Sequence, residues 1–237
     1  MQDFVLTLWR RLTLLIERCI EFVLPFIMMR TLQTGLYAIW QRGAWEQLPK
    51  SAFILAANHP SWWDLYLFWF ISKKLQRPMS GMMREDTLQT FPFFRSIGAI
   101  ARTEIREALR RLKCGDMLQI FPEGEMHQGA VTRLQEGVAF IAEKSGVPVY
   151  PVSVRLVVRG AQQPEAFIVL GEPLLFSGSR MEFLETLKGS INRLLESSDQ
   201  AILGTHPEAK PEGFTNWLPE KKRFDERIVL LKKLWQR

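Results

Sequence analysis

The chain has 237 residues, of which 47% are apolar, 24% charged and 11% aromatic, and it carries a net charge of +6. That composition excludes a disordered chain and suffices for one sizeable core. Its two cysteines, Cys19 and Cys114, have no C-x-x-C spacing, which argues against a disulfide framework or zinc ribbon and suits a reducing compartment.

In chain order, apolar residues first recur at 4, 5, 8, 9, 12, 15, 16, 19, 20, 23, 24 and 27. Thr7, Arg10, Arg11, Glu17, Arg18 and Glu21 fill the opposite side, the pattern of an amphipathic helix. Pro25 predicts a bend or break, after which a second apolar segment covers 31–40. The longest charge-free stretch before residue 30, positions 22–29, is eight residues long, against about 20 needed to cross a bilayer. The interrupting charges also exclude a cleaved signal peptide. Two readings stay open: helices that cover the core, or a helix pair that lowers its apolar face into one leaflet, with basic residues at the headgroups.

After residue 50, short apolar runs alternate with helical patterns. Strands are predicted at 52–57, 79–83, 97–101, 117–121, 149–157 and 166–170, and helices at 61–73, 104–113, 132–145, 180–197 and 219–236. The alternation predicts an α/β fold with a largely parallel sheet flanked by helices, where ligands sit beyond the carboxyl ends of the strands. Residues 204–218 read as a loop. The division is an N-terminal amphipathic element over 1–45, an α/β domain over 46–203, and a loop with a basic helix over 204–237. Seven basic and three acidic residues in 219–237 supply four of the six net charges. Such a tail meets phosphates of nucleic acid or of lipid headgroups, but no nucleic-acid motif or aromatic stacking platform accompanies it. A membrane surface is therefore the expected partner, and nucleic acid is not.

Chemistry concentrates in three stretches. In "NHPSWWD", residues 58–64, a strand ends at Asn58-His59-Pro60 and Asp64 follows five positions after the histidine. Ser61 can cap the next helix, placing Asp64 at its third position with the carboxylate turned back toward His59. A carboxylate on one ring nitrogen fixes the tautomer and leaves the other free to take a proton. The same spacing is also an ordinary capping box. In "QIFPEGEMHQG", residues 119–129, Pro122, Gly124 and Gly129 make a tight turn after a strand. Glu123 within it is an acceptor for substrate hydroxyls or an N-cap partner. In "FFRSIGAIARTE", residues 93–104, Arg102 leaves another strand end, where it can grip a phosphate or pair with Glu104 or Glu107.

These residues carry a resemblance. "NHPSWWD" resembles the N-H-x-x-x-x-D block of the glycerolipid acyltransferase family, of which 1-acylglycerol-3-phosphate acyltransferase is the namesake. "GAIAR" at 98–102, "FPEG" at 121–124 and "VPVYPV" at 147–152 are similar to its other blocks and stand in family order. The resemblance implies acyl transfer from acyl-CoA or acyl carrier protein to a lipid hydroxyl, with no cofactor, no metal and no covalent enzyme intermediate. His59 would be the general base and Asp64 its partner. Asn58, Arg84, Arg102, Pro122, Glu123 and Gly124 would position the acceptor. It also implies work at the cytoplasmic face of a membrane. The chain departs from the family pattern at two places: Glu125, Met126 and His127 follow Gly124 where Thr-Arg-Ser is common, and "LQEG" at 134–137 replaces F-K-x-G. Cations are thereby lost and a carboxylate gained, which favours a non-phosphate acceptor such as a glycolipid or other lyso-lipid beside the phosphate-bearing one. Rival readings are a hydrolase, which lacks a G-x-S-x-G elbow here, and an inactive lipid-binding protein that keeps the fold.

Overall fold

A computed structural model describes residues 19, 20 and 22–218. The start of the predicted amphipathic helix, before residue 19, and the predicted helix at 219–236 lie outside the described residues. Within them, residues 22–35 form helix α1. The elements that follow are β1 (Ile39–Arg42), β2 (Phe53–Ala57), α2 (Trp63–Leu75), β3 (Met79–Met83), α3 (Glu85–Thr90), β4 (Ala99–Ala101), α4 (Ile105–Lys113), β5 (Met117–Ile120), α5 (Gly137–Ser145), β6 (Val149–Val157), β7 (Glu165–Leu170), α6 (Arg180–Leu203) and β8 (Thr215–Leu218).

One eight-stranded sheet runs in the order β4-β3-β5-β2-β6-β7-β1-β8. Only the β6–β7 and β1–β8 pairs are antiparallel, so the sheet is largely parallel. β2 lies between β5 and β6, and all five of its residues are buried, which is why it reads as an unbroken apolar run. Successive side chains of a strand point to opposite faces. Phe53, Leu55 and Ala57 therefore pack with α1 and α2, while Ile54 and Ala56 pack with α4, α5 and α6. The result is three layers, with the carboxyl end of β2 near their middle.

α1 continues through Pro25 to residue 35, so the predicted break does not occur. Proline removes one helical hydrogen bond, and Leu24, Met28 and Leu32, spaced one turn apart and buried, hold the helix down. Its other side presents Phe22 (87% exposed), Val23, Phe26 (71% exposed) and Ile27 to the surroundings. At the end of α1, a Cβ on Gly35 would overlap the indole of Trp63, so the absence of a side chain there allows the helix to rest on the start of α2.

Several boundaries differ from the sequence reading. The apolar segment 31–40 ends in strand β1, and the predicted loop 204–218 ends in strand β8. Ile39 is paired on one side with Ala166 and on the other with Leu218. The predicted helix at 132–145 starts only at Gly137. The backbone of Val131 exchanges two hydrogen bonds with the Asn192 side chain, and the Gln135 N–H donates to the Pro122 carbonyl, which draws the preceding segment out of helical geometry. The predicted strand at 97–101 starts at Ala99 after a 3-10 turn, and α6 extends to Leu203.

Candidate active site

The loops that follow β2, β3, β4 and β5 all leave the same edge of the sheet, because these four strands are parallel. β2 delivers Asn58 and His59, and β5 delivers Phe121, Pro122, Glu123 and Gly124. The two strands are direct neighbours, with Ala56 level with Ile120. β3 and β4 deliver Arg84 and Arg102. At about 4.8 Å per strand, they leave the sheet roughly 10 and 14 Å from β2.

His59 Nδ1 lies 2.7 Å from Asp64 Oδ2. The Asp64 side chain is fully buried, whereas that of His59 is 24% exposed. α2 begins at Trp63, so Asp64 is its second residue, one place earlier than the sequence reading put it. The Ser61 N–H donates to Asp64 Oδ2 at 3.1 Å, and the Trp63 N–H donates to Ser61 Oγ at 3.1 Å. Trp62, not Ser61, is the N-cap of α2 and makes no side-chain cap bond, and the Ser61 turn before it shares Asp64 with the histidine clasp. With a carboxylate at Nδ1 holding the ring proton, Nε2 is left as the acceptor. Burial pushes the Asp64 carboxyl above its ordinary range, although hydrogen bonds from His59 and Ser61 pull it the other way.

The "FPEG" turn forms the opposite wall. The Phe121 ring stacks on the His59 imidazole, with centroids 4.1 Å apart and planes 12° apart, and Phe68 meets Phe121 edge-on. The Gly124 N–H donates to the Phe121 carbonyl, closing a turn with Pro122 at its second position, and Gly124 takes φ +77°, a conformation open to glycine. Glu123 Oε1 accepts the backbone N–H of His59 at 3.1 Å, and the His127 N–H donates to the His59 carbonyl at 2.9 Å. Glu123 Oε2 lies 3.8 Å from His127 Nδ1. Burial raises the Glu123 carboxyl above its ordinary range, against a lowering from the His59 N–H and from both histidines.

Other residues named from sequence stand apart from this cluster. Asn58 is buried, its amide exchanging two hydrogen bonds with the Val154 backbone on β6, so it ties the loop to the sheet. Arg102 is 61% exposed and pairs with Glu85 at 3.1 Å, not with Glu104 or Glu107. Those two acids are held by Arg95 and by Arg110 and Arg111. Arg84 pairs with Asp86, and its guanidinium is held above its ordinary range by that partner first, with Glu125 and Glu85 adding to the effect. Phe121 and Phe68 were not singled out from sequence. The signal for Phe121 is its place at the end of a buried strand, and it becomes readable only once β5 is known to lie beside β2.

Among the described residues no group of three or more His, Cys, Asp or Glu side chains is placed to hold a metal, and no helix is long and apolar enough to cross a membrane.

The family model described as Acyltransferase matches residues 43–155. N-acylphosphatidylethanolamine synthase of Arabidopsis thaliana is 29% identical over a 165-position alignment, which takes in 54% of this chain and 57% of the relative. The chain thus spans little more than half the length of that curated protein. The crystal structure of the 1-acyl-sn-glycerophosphate (LPA) acyltransferase PlsC from Thermotoga maritima superimposes with a TM-score of 0.57 at 23% identity, covering 76% of this chain and 79% of that one. That likeness is one of fold. The four sequence blocks all lie inside 43–155, the stretch that matches the Acyltransferase family model.

Proposed function

We propose that the protein moves an acyl chain from a thioester donor, acyl-CoA or acyl carrier protein, to a hydroxyl of a lysophospholipid-type acceptor at a membrane surface. The observation that carries this reading is the clasp of His59 Nδ1 on the fully buried Asp64 at 2.7 Å, which leaves Nε2 as the basic nitrogen at the mouth of the loop. Nε2 takes the proton of the acceptor hydroxyl as its oxygen attacks the thioester carbonyl. A new C–O bond forms, the C–S bond then breaks, and the departing thiolate regains the proton from the imidazolium. Asp64 keeps the ring in one tautomer and balances its charge while the proton is held. No group of the protein bonds covalently to the acyl chain.

His59→Ala deletes the base at a partly exposed loop position and is expected to lower turnover about 100- to 10,000-fold, the usual worth of a general base, with a lowered melting temperature as the buried Asp64 loses its ring partner. The measurement is thiol release from acyl-CoA in the presence of mixed lysolipids, with lipid products resolved by mass spectrometry. Retention of more than about a tenth of wild-type turnover overturns the role of His59.

The outer face of α1 supports attachment to a membrane, because Phe22, Val23, Phe26 and Ile27 lie together on it. The cytoplasmic leaflet, with its anionic lipids, suits the basic C-terminal segment. Phe22→Ser/Phe26→Ser leaves the buried Leu24, Met28 and Leu32 in place and is expected to lower flotation with anionic phospholipid vesicles severalfold. Unchanged flotation would remove α1 from the attachment.

A second reading concerns the acceptor. Arg84 is flanked by Asp86, Glu85 and Glu125, and Arg102 is paired with Glu85, so the two cations named from sequence are already compensated. This favours a neutral or zwitterionic acceptor over a bare phosphate monoester. The name of the Arabidopsis relative, which refers to acylated phosphatidylethanolamine, supports testing such lipids. A higher kcat/KM for lysophosphatidic acid than for zwitterionic and glycosylated acceptors would sink this reading.

A further inference from the structure

We infer that Glu123 is a positioning residue: it serves the reaction through the main chain of His59 and does not hold the acceptor. The inference rests on the acyl-transfer reading above and concerns the same site. Four observations carry it. The Glu123 side chain is only 8% exposed. Its Oε1 accepts the His59 N–H at 3.1 Å, while its Oε2 faces His127, 3.8 Å away. The backbone of His127, four residues further along the same turn, closes the second half of the clasp by donating to the His59 carbonyl at 2.9 Å. The ring at the start of that turn, Phe121, lies flat on the imidazole.

His59 is therefore held at three places: Nδ1 by Asp64, the ring face by Phe121, and the peptide groups by Glu123 and His127. The His59 N–H is partly buried and Glu123 is its acceptor, so loss of the carboxylate obliges the peptide at residue 59 to find another partner. The peptide then moves, and the imidazole on it moves as well. Displacement of a base by about 1 Å can cost on the order of 100-fold in rate while leaving acceptor binding untouched. A carboxylate that bound the acceptor would show the opposite pattern, a raised KM.

The test compares Glu123→Gln, which keeps an oxygen for the His59 N–H, with Glu123→Ala, which does not. Two readouts are taken: kcat and acceptor KM in the thiol-release assay, and the low-field Nδ1 proton of His59 by NMR, assigned by its loss in His59→Ala. Glu123→Ala is expected to lower kcat about 10- to 100-fold with acceptor KM within about twofold, and to shift or broaden the Nδ1 proton. Glu123→Gln is expected to stay within about threefold of wild type in kcat and to keep the resonance, so the conservative variant restores what alanine removes. A raised KM with kcat kept, equal damage from Gln and Ala, or an unmoved Nδ1 proton in Glu123→Ala would each overturn the inference. Failure of the wild type to transfer any acyl group would count against the acyl-transfer reading, and the resonance would still decide whether Glu123 positions the ring.

Discussion

The carboxyl edge of the sheet has two unlike corners. At the β2–β5 corner, His59 is tied to a fully buried carboxylate, a stacked ring and two main-chain hydrogen bonds from a neighbouring turn. At the β3–β4 corner, Arg84 and Arg102 stand 56% and 61% exposed, paired with acids that water also reaches. The first arrangement fixes a few atoms within a fraction of an ångström, as proton transfer requires. The second keeps charges that solvent screens and that re-pair easily, which suits recognition of a headgroup. On the reading proposed above, chemistry and recognition are separated along one edge, about two to three strand spacings apart, or roughly 10 to 14 Å.

If that separation is right, substitutions at the two corners should differ in kind. His59→Ala, described above, is the largest effect expected. Asp64→Asn comes next, with turnover lowered roughly 10- to 1,000-fold, because the amide no longer holds the tautomer or balances the imidazolium. It carries a second signature. The folded Asp64 carboxyl titrates above its unfolded value, so its favourable contribution is fully present below the unfolded pKa and is lost as pH rises through the folded one. At neutral pH the buried carboxylate is a net burden, and Asp64→Asn should melt at the same temperature as wild type or higher. The difference should shrink as pH falls into the carboxylate range. A melting curve in which Asp64→Asn is the less stable protein at pH 7, with the gap closing as pH falls into the carboxylate range, would contradict it.

The smallest effects belong to Arg84→Ala and Arg102→Ala. Both are expected to leave the melting temperature unchanged and kcat within about threefold, since exposed ion pairs contribute little. Their readout is acceptor KM, compared between lysophosphatidic acid and a zwitterionic lysolipid. A fall in kcat to the level of His59→Ala would put this corner in the chemistry and end the division.

The same contrast sets how far the sequence could be read. His59 and Asp64 were legible because both lie on one local segment, where strand end, proline, serine turn and helix start fix their spacing. Buried strands such as β2 were legible as unbroken apolar runs. β1 and β8 were not, because each is four residues long, and Ile39 finds its sheet partners at Ala166 and Leu218, far along the chain. Glu123 was open to several roles until β5 was seen beside β2, and Asn58 until Val154 was seen across from it. The partner of Arg102 depended on a competition: Arg95 holds Glu104, and Arg110 and Arg111 hold Glu107, which leaves Glu85 for Arg102. Local patterns show local geometry, and such allocations are settled only in three dimensions.

The close approach of Gly35 to the Trp63 indole has a consequence for how this protein can change over time. The two positions form a matched pair, one with no side chain and one with the largest, at the point where the helix with the exposed apolar face meets the helix that carries Asp64. Any larger residue at 35 overlaps the Trp63 indole, so position 35 is not free to drift while Trp63 stays. Such a change would push α1 away from α2 and carry the disturbance one residue along, to Asp64. A descendant that gains a side chain at 35 should therefore carry a smaller residue at 63.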